Sequence, residues 1–251
     1  MARLPTILLK PGDLPPYVLL PGDPARAARI AERLEGTKEL AKNREFHSYC
    51  GSYHGVEIGV ISTGVGAPGA AICAEESIKA GARVLIRVGT AGSLQDSVVD
   101  GDLVVALGAV RYEGTSPQLL PIQYPALADP DVVGALWNAA QTMDVRVHRG
   151  VVVTSDAFYQ GVLDLGIEPL SRAGAMAVEM ECAALFCVAA LRHVRAGAIL
   201  AIDGDARSAA AGAYNPHRDV VRNAVSQEID CALAGIVRLH AEEFEKQQRK
   251  S

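Results

Sequence analysis

The chain has no C-x-x-C pair, no H-x-x-x-H pair, no cluster of lysines and arginines, and no apolar run near the roughly 18 residues that a membrane helix needs. Each absence removes a class of function. The cysteines Cys50, Cys73, Cys182, Cys187 and Cys231 are odd in number, far apart and set among apolar or small residues. They read as reduced core thiols, not as a disulfide frame or a zinc site. His47, His54, His148, His193, His217 and His240 are scattered, so no metal centre is expected. A net charge of −5 without a basic stripe argues against nucleic acid or an anionic membrane as partner and leaves a small molecule. No charged stretch followed by an apolar one stands at the start as in a leader, so the expected location is cytoplasmic. None of the glycine-bearing runs is a P-loop with its lysine, so a nucleoside triphosphate is not indicated.

What is present is an alternation of two textures. With 251 residues, 49% of them hydrophobic, the chain can bury one sizeable core, and a single α/β domain over 1–251 is expected. β-Branched runs at Val18 to Leu20, Val56 to Ser62, Val84 to Val88, Leu103 to Val110, Val147 to Val153 and Ala198 to Ile202 predict strands. Helical spacing covers Ala25 to Leu34 with Pro24 in the first turn, the Ala-rich stretch ending near Ala80, Asp131 to Met143, and Glu181 to Leu191. A closing amphipathic helix carries Val220, Val221, Ala224, Val225, Ile229, Leu233, Ile236 and Val237 and is opened by Asn215-Pro216, with a solvated tail from Glu242. Strands alternating with helices imply a mainly parallel sheet covered on both faces.

Two features carry chemistry. Val178-Glu179-Met180-Glu181-Cys182 sets two carboxylates two residues apart in an apolar stretch. They are either surface acids at a helix N-terminus, favoured there by the dipole, or groups facing a ligand. Three glycine-bearing runs follow predicted strands: Pro21-Gly22-Asp23-Pro24-Ala25-Arg26, Thr63-Gly64-Val65-Gly66, and Arg87-Val88-Gly89-Thr90-Ala91-Gly92, the last read as a turn. Any one of them alone is a chain reversal. Together, two arginines, backbone amides and the Thr90 hydroxyl make the kind of donor set that phosphate prefers.

With these runs in view, the sequence resembles the nucleoside phosphorylases of the trimeric and hexameric phosphorylase fold over nearly its whole length. The matching runs are Leu19 to Arg26 (LLPGDPAR), Asn43 to Phe46 (NREF), Ser62 to Pro68 (STGVGAP) and Ile86 to Gly92 (IRVGTAG). Thr154 to Tyr159 (TSDAFY), Val178 to Ala183 (VEMECA) and Ala201 to Asp205 (AIDGD) complete the set. The last run and the region Tyr214 to Arg218 look most like purine nucleoside phosphorylases of the protozoan-parasite branch. The resemblance implies an α/β fold with a mainly parallel mixed sheet, distorted and barrel-like, flanked by helices.

It also implies roles. Gly22, Arg26, Arg87 and Thr90 would bind phosphate, and Arg44 would reach a neighbouring subunit's phosphate site across a dimer interface, making the expected assembly a homohexamer. Glu181 would accept hydrogen bonds from the ribose hydroxyls, with Met180 against the sugar and Glu179 nearby. Phe158, Val65 and Val178 would line the base pocket. Asp203, or alternatively Asp205, would be the acid at the purine N7. Substrates would be a purine nucleoside and inorganic phosphate, with no cofactor and no metal. A uridine, broad-specificity or methylthioadenosine phosphorylase and a non-catalytic nucleoside-binding protein are the alternatives. Two departures stand out: Thr6 occupies the place of the family's 5′-hydroxyl histidine, and Gln160 is not followed by the arginine with which uridine phosphorylases read uracil.

Overall fold

In chain order the computed structural model, which describes residues 2–159, 161–207 and 215–248, begins with β1 (Tyr17–Pro21), α1 (Pro24–Ala31), β2 (Glu35–Asn43) and β3 (Phe46–Tyr53). Next come β4 (Val56–Ile61), α2 (Ala67–Ala80), β5 (Val84–Ser93), β6 (Leu103–Tyr112), the short α3 (Ser116–Leu119) and β7 (Ala126–Leu127). The remainder is α4 (Pro130–Gln141), β8 (Val147–Ser155), α5 (Ile167–Arg172), β9 (Ala177–Glu179), α6 (Cys182–Leu191), β10 (Arg195–Asp205) and α7 (Asp219–Gln248). Gln160 and Tyr214, both singled out in the sequence, lie outside the described residues.

Local chemistry explains where the elements start. Asp23 caps α1 by accepting from the Ala25 N–H at 2.9 Å, and Pro24 supplies a preset φ in its first turn. Asp129 and Pro130 repeat the arrangement at α4. The apolar α6 (CAALFCVAAL) is buried from Cys182 through Ala189, as a helix hydrophobic all round must be. α7 begins at Asp219, later than Asn215-Pro216, because residues 215–218 form a turn in which the Asn215 side chain accepts from the His217 N–H. It runs on through Gln248, its end tied by Lys246 Nζ to Asp131 at 2.9 Å, so the solvated tail from Glu242 is helical there.

β1 lies at the centre, parallel to β4 on one side and to β5 on the other, while β3 and β2 extend the edge as antiparallel hairpin strands. β5 is also parallel to β10, and β10–β6–β8–β9 returns to β5, so these five strands close into a barrel. The sheet separates two apolar layers. α2 and α6 pack into one around Phe186, and α1, α4 and α7 pack into the other around Ile30, Leu136 and Ile229. No helix among the described residues is long and apolar enough to cross a membrane.

Two expectations need correction. Gly89 to Gly92 is not a turn but part of the second half of β5, paired with β10 across a bulge at Asp203. Glu181 does not belong to the helix that follows it; it is the N-cap residue, and α6 starts at Cys182.

Candidate active site

β5 changes partner along one edge, and the site is where it does so. Its pairing with β1 ends at Pro21↔Val88, and its pairing with β9 begins at Gly92↔Val178. Between them Gly89, Thr90 and Ala91 face an opening rather than a strand, which is where ligands settle in α/β sheets. A cleft of about 1460 Å³ lies over this opening, larger than one small molecule needs and wide enough for two reactants.

Arg87 occupies the floor of the cleft, only 5% exposed. Its Nη2 meets Glu181 Oε2 at 2.5 Å, and its Nε lies 2.9 Å from Glu179 Oε2 without a directed N–H bond. Burial works against its charge, but Glu181 and Glu179 outweigh that and hold the guanidinium above its ordinary range. The group folds back over its own strand, and a Cβ at residue 89 would stand 2.7 Å from the guanidinium carbon, so Gly89 is what lets Arg87 take this pose.

The two carboxylates have different work. Glu179 accepts from the backbone N–H groups of Glu181 and Cys182 at 2.8 and 3.0 Å and from the Thr154 hydroxyl at 2.5 Å. Thr154 in turn accepts from the Ala183 N–H, so this acid and this hydroxyl together satisfy the orphan donors opening α6. Glu181 accepts from the Gly66 N–H at 2.6 Å, delivered by a chain reversal in which Gly64 and Gly66 both have positive φ. Burial raises the Glu181 carboxyl, with Arg87 pulling in the opposite direction. Both readings of the acidic run are therefore present: Glu179 serves the helix start, and Glu181 borders the cleft.

Arg26 projects from the first turns of α1 to the same floor, donating to the Val88 carbonyl at 3.1 Å and lying 3.1 Å from Glu228 Oε1. Glu228 comes from α7 and is fully buried. Burial pushes its carboxyl up to about 8, with Arg26 and Arg87 partly offsetting. Sequence periodicity missed it because attention fell on the apolar positions of α7. The signal was an acid on the stripe that also carries Ala224, Val225 and Ile229.

Gly22, Arg26, Arg87, Thr90, Val65, Phe158, Val178, Glu179, Met180, Glu181, Asp203 and Asp205 all line the cleft. Arg44 does not. It is exposed at the tip of the β2–β3 hairpin with φ of 52°, while its neighbour Glu45 reaches the rim. Asp203 is buried, and its carbonyl accepts from Arg218 Nη2 at 2.9 Å. Asp205 is exposed and is held by Arg207, whose Nη1 also meets Asp96 at 2.6 Å. Arg218 additionally pairs with Asp100. Arg207 was not singled out in the sequence, and Arg218 only as the end of the region from Tyr214, without a role, since lone arginines in a polar stretch carry no pattern. Thr6 is held by Glu76, which accepts from its backbone N–H at 3.0 Å.

A model of the Phosphorylase superfamily matches residues 16–236. The chain is 40% identical to guanosine phosphorylase of Halorubrum lacusprofundi over 205 residues, 82% of this chain and 85% of the relative. It is 41% identical to uridine phosphorylase of Thermococcus kodakarensis over 208 residues, 78% and 75% of the two chains. Among solved structures, purine nucleoside phosphorylase from Toxoplasma gondii in complex with immucillin-H superposes with a TM-score of 0.89 at 33% identity, covering 95% of this chain and 97% of that one.

Proposed function

The chain belongs to the phosphorylase superfamily, and within it to the nucleoside phosphorylases, and on that premise we propose that it catalyses the reversible phosphorolysis of purine nucleosides or deoxynucleosides. The products are free base and pentose 1-phosphate, and neither a metal nor an organic cofactor takes part. The observation that carries this reading is the buried Arg87–Glu181 contact at the opening of β5, which sets an anion-binding guanidinium directly beside an acceptor carboxylate.

Phosphate sits over Arg26, Arg87, Thr90 and the Gly22 backbone, where fixed cations and amides suit an oxyanion. Glu181 has lone pairs beyond those used by Gly66 and Arg87, and these receive the two secondary hydroxyls of the sugar, with Met180 packed on the ring. The base lies between Val65, Val178 and Phe158. As the C1′–N9 bond breaks, its electron pair passes into the purine and Asp203, protonated, gives its proton to N7. The positive charge left on the sugar is stabilised by the phosphate, whose oxygen lone pair then forms the new bond to C1′. Burial favours Asp203 over Asp205 for this step, because a carboxyl must be desolvated to keep its proton near neutral pH.

Charge supports the assembly that completes this reading. Within one chain the two arginine charges of the floor face the carboxylates of Glu179 and Glu181, which leaves no net positive charge for a dianion. Arg44, displayed on an exposed hairpin tip, supplies the missing cation to a neighbour's site in a symmetric dimer, repeated into a homohexamer. A uridine-directed reading is favoured by the name of the Thermococcus relative, but residues 161–166 (GVLDLG) contain no arginine for a uracil edge.

The test is release of free base from inosine, guanosine, adenosine, methylthioadenosine and uridine, with and without phosphate. Release of purine base that depends on phosphate is expected. Uracil as the main product would overturn the substrate class, release without phosphate would overturn phosphorolysis, and tight binding without turnover would make the chain a nucleoside-binding protein.

A further inference from the structure

Glu228 has no part in the reaction as described, yet it stands immediately behind the anion floor. Its Oε2 accepts from the Ala201 N–H at 3.1 Å, and Ala201 is the β10 residue paired with Thr90. Its Oε1 lies 3.1 Å from Arg26 Nη1 and accepts no directed hydrogen bond among the described residues. The side chain has no exposed surface, and the charged or titratable groups around it are Arg26 on α1, Arg87 on β5, Asp203 on β10 and Cys231 on its own helix. A carboxylate in that position competes with any anion for Arg26. The same group as a neutral acid does not.

We propose that Glu228 is the positioning residue for Arg26, and that it takes up a proton when phosphate binds, so releasing the guanidinium from an internal ion pair to the incoming anion. This rests on the reading of Arg26 as a phosphate ligand. The proton comes from solvent and resides on the carboxyl while phosphate is bound; no covalent bond changes. The unbonded oxygen and the burial fit a group that changes charge state, because a permanent ion would be expected to satisfy both oxygens. Burial already places its titration near pH 8, so the exchange falls in an accessible range.

The experiment is titration calorimetry of the full chain with inorganic phosphate from about pH 7 to about pH 9, in buffers of different ionisation enthalpy. Near the upper end phosphate is a dianion before and after binding, so proton uptake reports the protein. The wild type is expected to take up about one proton per site there and to bind phosphate about tenfold more weakly than at neutral pH, as one unit past a titration near 8 requires. Glu228→Gln, neutral at every pH, should bind with little pH dependence and without that proton. Equal proton uptake in wild type and variant would overturn the proposal. If the variant fails to fold, the infrared difference spectrum of the wild type decides: a protonated-carboxyl band gained on adding phosphate near pH 9 supports the exchange, and its absence overturns it. Phosphate binding without proton uptake sinks this inference alone, whereas no phosphate binding at all sinks the phosphate reading with it.

Discussion

The two ends of the cleft are built in opposite ways. At the proposed phosphate end Arg87 is 5% exposed and Glu181 4%, and each is held by partners from other elements. At the proposed base end Phe158 is 55% exposed and Val65 79%, and Phe158 meets its neighbour Tyr159 edge to face at 5.0 Å. A charged group in a buried network cannot be changed without stranding its partners, whereas an exposed apolar side chain can be exchanged at little cost to the fold. Relatives named for guanosine, uridine and purine nucleosides fit the proposed division, in which the chemistry is fixed at one end and the base is chosen at the other.

The largest expected effect comes from breaking the buried end. Arg87→Met removes the cation facing Glu179 and Glu181 and leaves two carboxylates out of water, which costs on the order of 3–5 kcal/mol of stability. Phosphorolysis should fall by about a thousandfold or more, since an anion-stabilising donor is lost together with the geometry. Denaturant melts and kcat/KM measured side by side check both. A stable Arg87→Met protein would show that the network is not what holds this end together.

Next is the proposed proton donor. Asp203→Asn should lower kcat for purine nucleosides by about a hundredfold or more with phosphate KM little changed, as expected for loss of a general acid. Asp205→Asn, at an exposed position paired with Arg207, should stay within about threefold of wild type. The reverse ranking would move the acid to Asp205.

The same division governs what the sequence could disclose. The family was legible because motifs such as LLPGDPAR, IRVGTAG and VEMECA map onto the buried end, where spacing and residue type are tightly constrained, although NREF and TSDAFY carry the exposed Arg44 and Phe158. The alternation of strands and helices was legible from β-branched runs that became strands buried on both faces. Gly89 to Gly92 was misread because two glycines in a row of four signal a turn, when at Gly89 the absent Cβ instead admits the Arg87 guanidinium over a continuous strand. The hairpin strand β2 (EGTKELAKN) escaped because it is largely exposed and polar, so it shows no alternation to detect. Glu228 escaped because its meaning lies in a contact with Arg26, 202 positions away in sequence, that no local pattern encodes.

The smallest expected effect tests the open end. Phe158→Ala removes a ring that is more than half exposed, so stability should change by no more than about 0.5 kcal/mol. If the base stacks on that ring, nucleoside KM should rise by about tenfold, while phosphate KM and the pH dependence of phosphate binding stay as they are. The same substitution should leave the ratio of rates between purine bases little changed, because an apolar face shared by the bases is lost while the proposed Asp203 contact to N7 remains. Steady-state kinetics with two nucleosides at fixed phosphate would show it. A change in phosphate KM would mean that the two ends communicate, and the loop bearing Phe158 would then have to be read as part of the phosphate site.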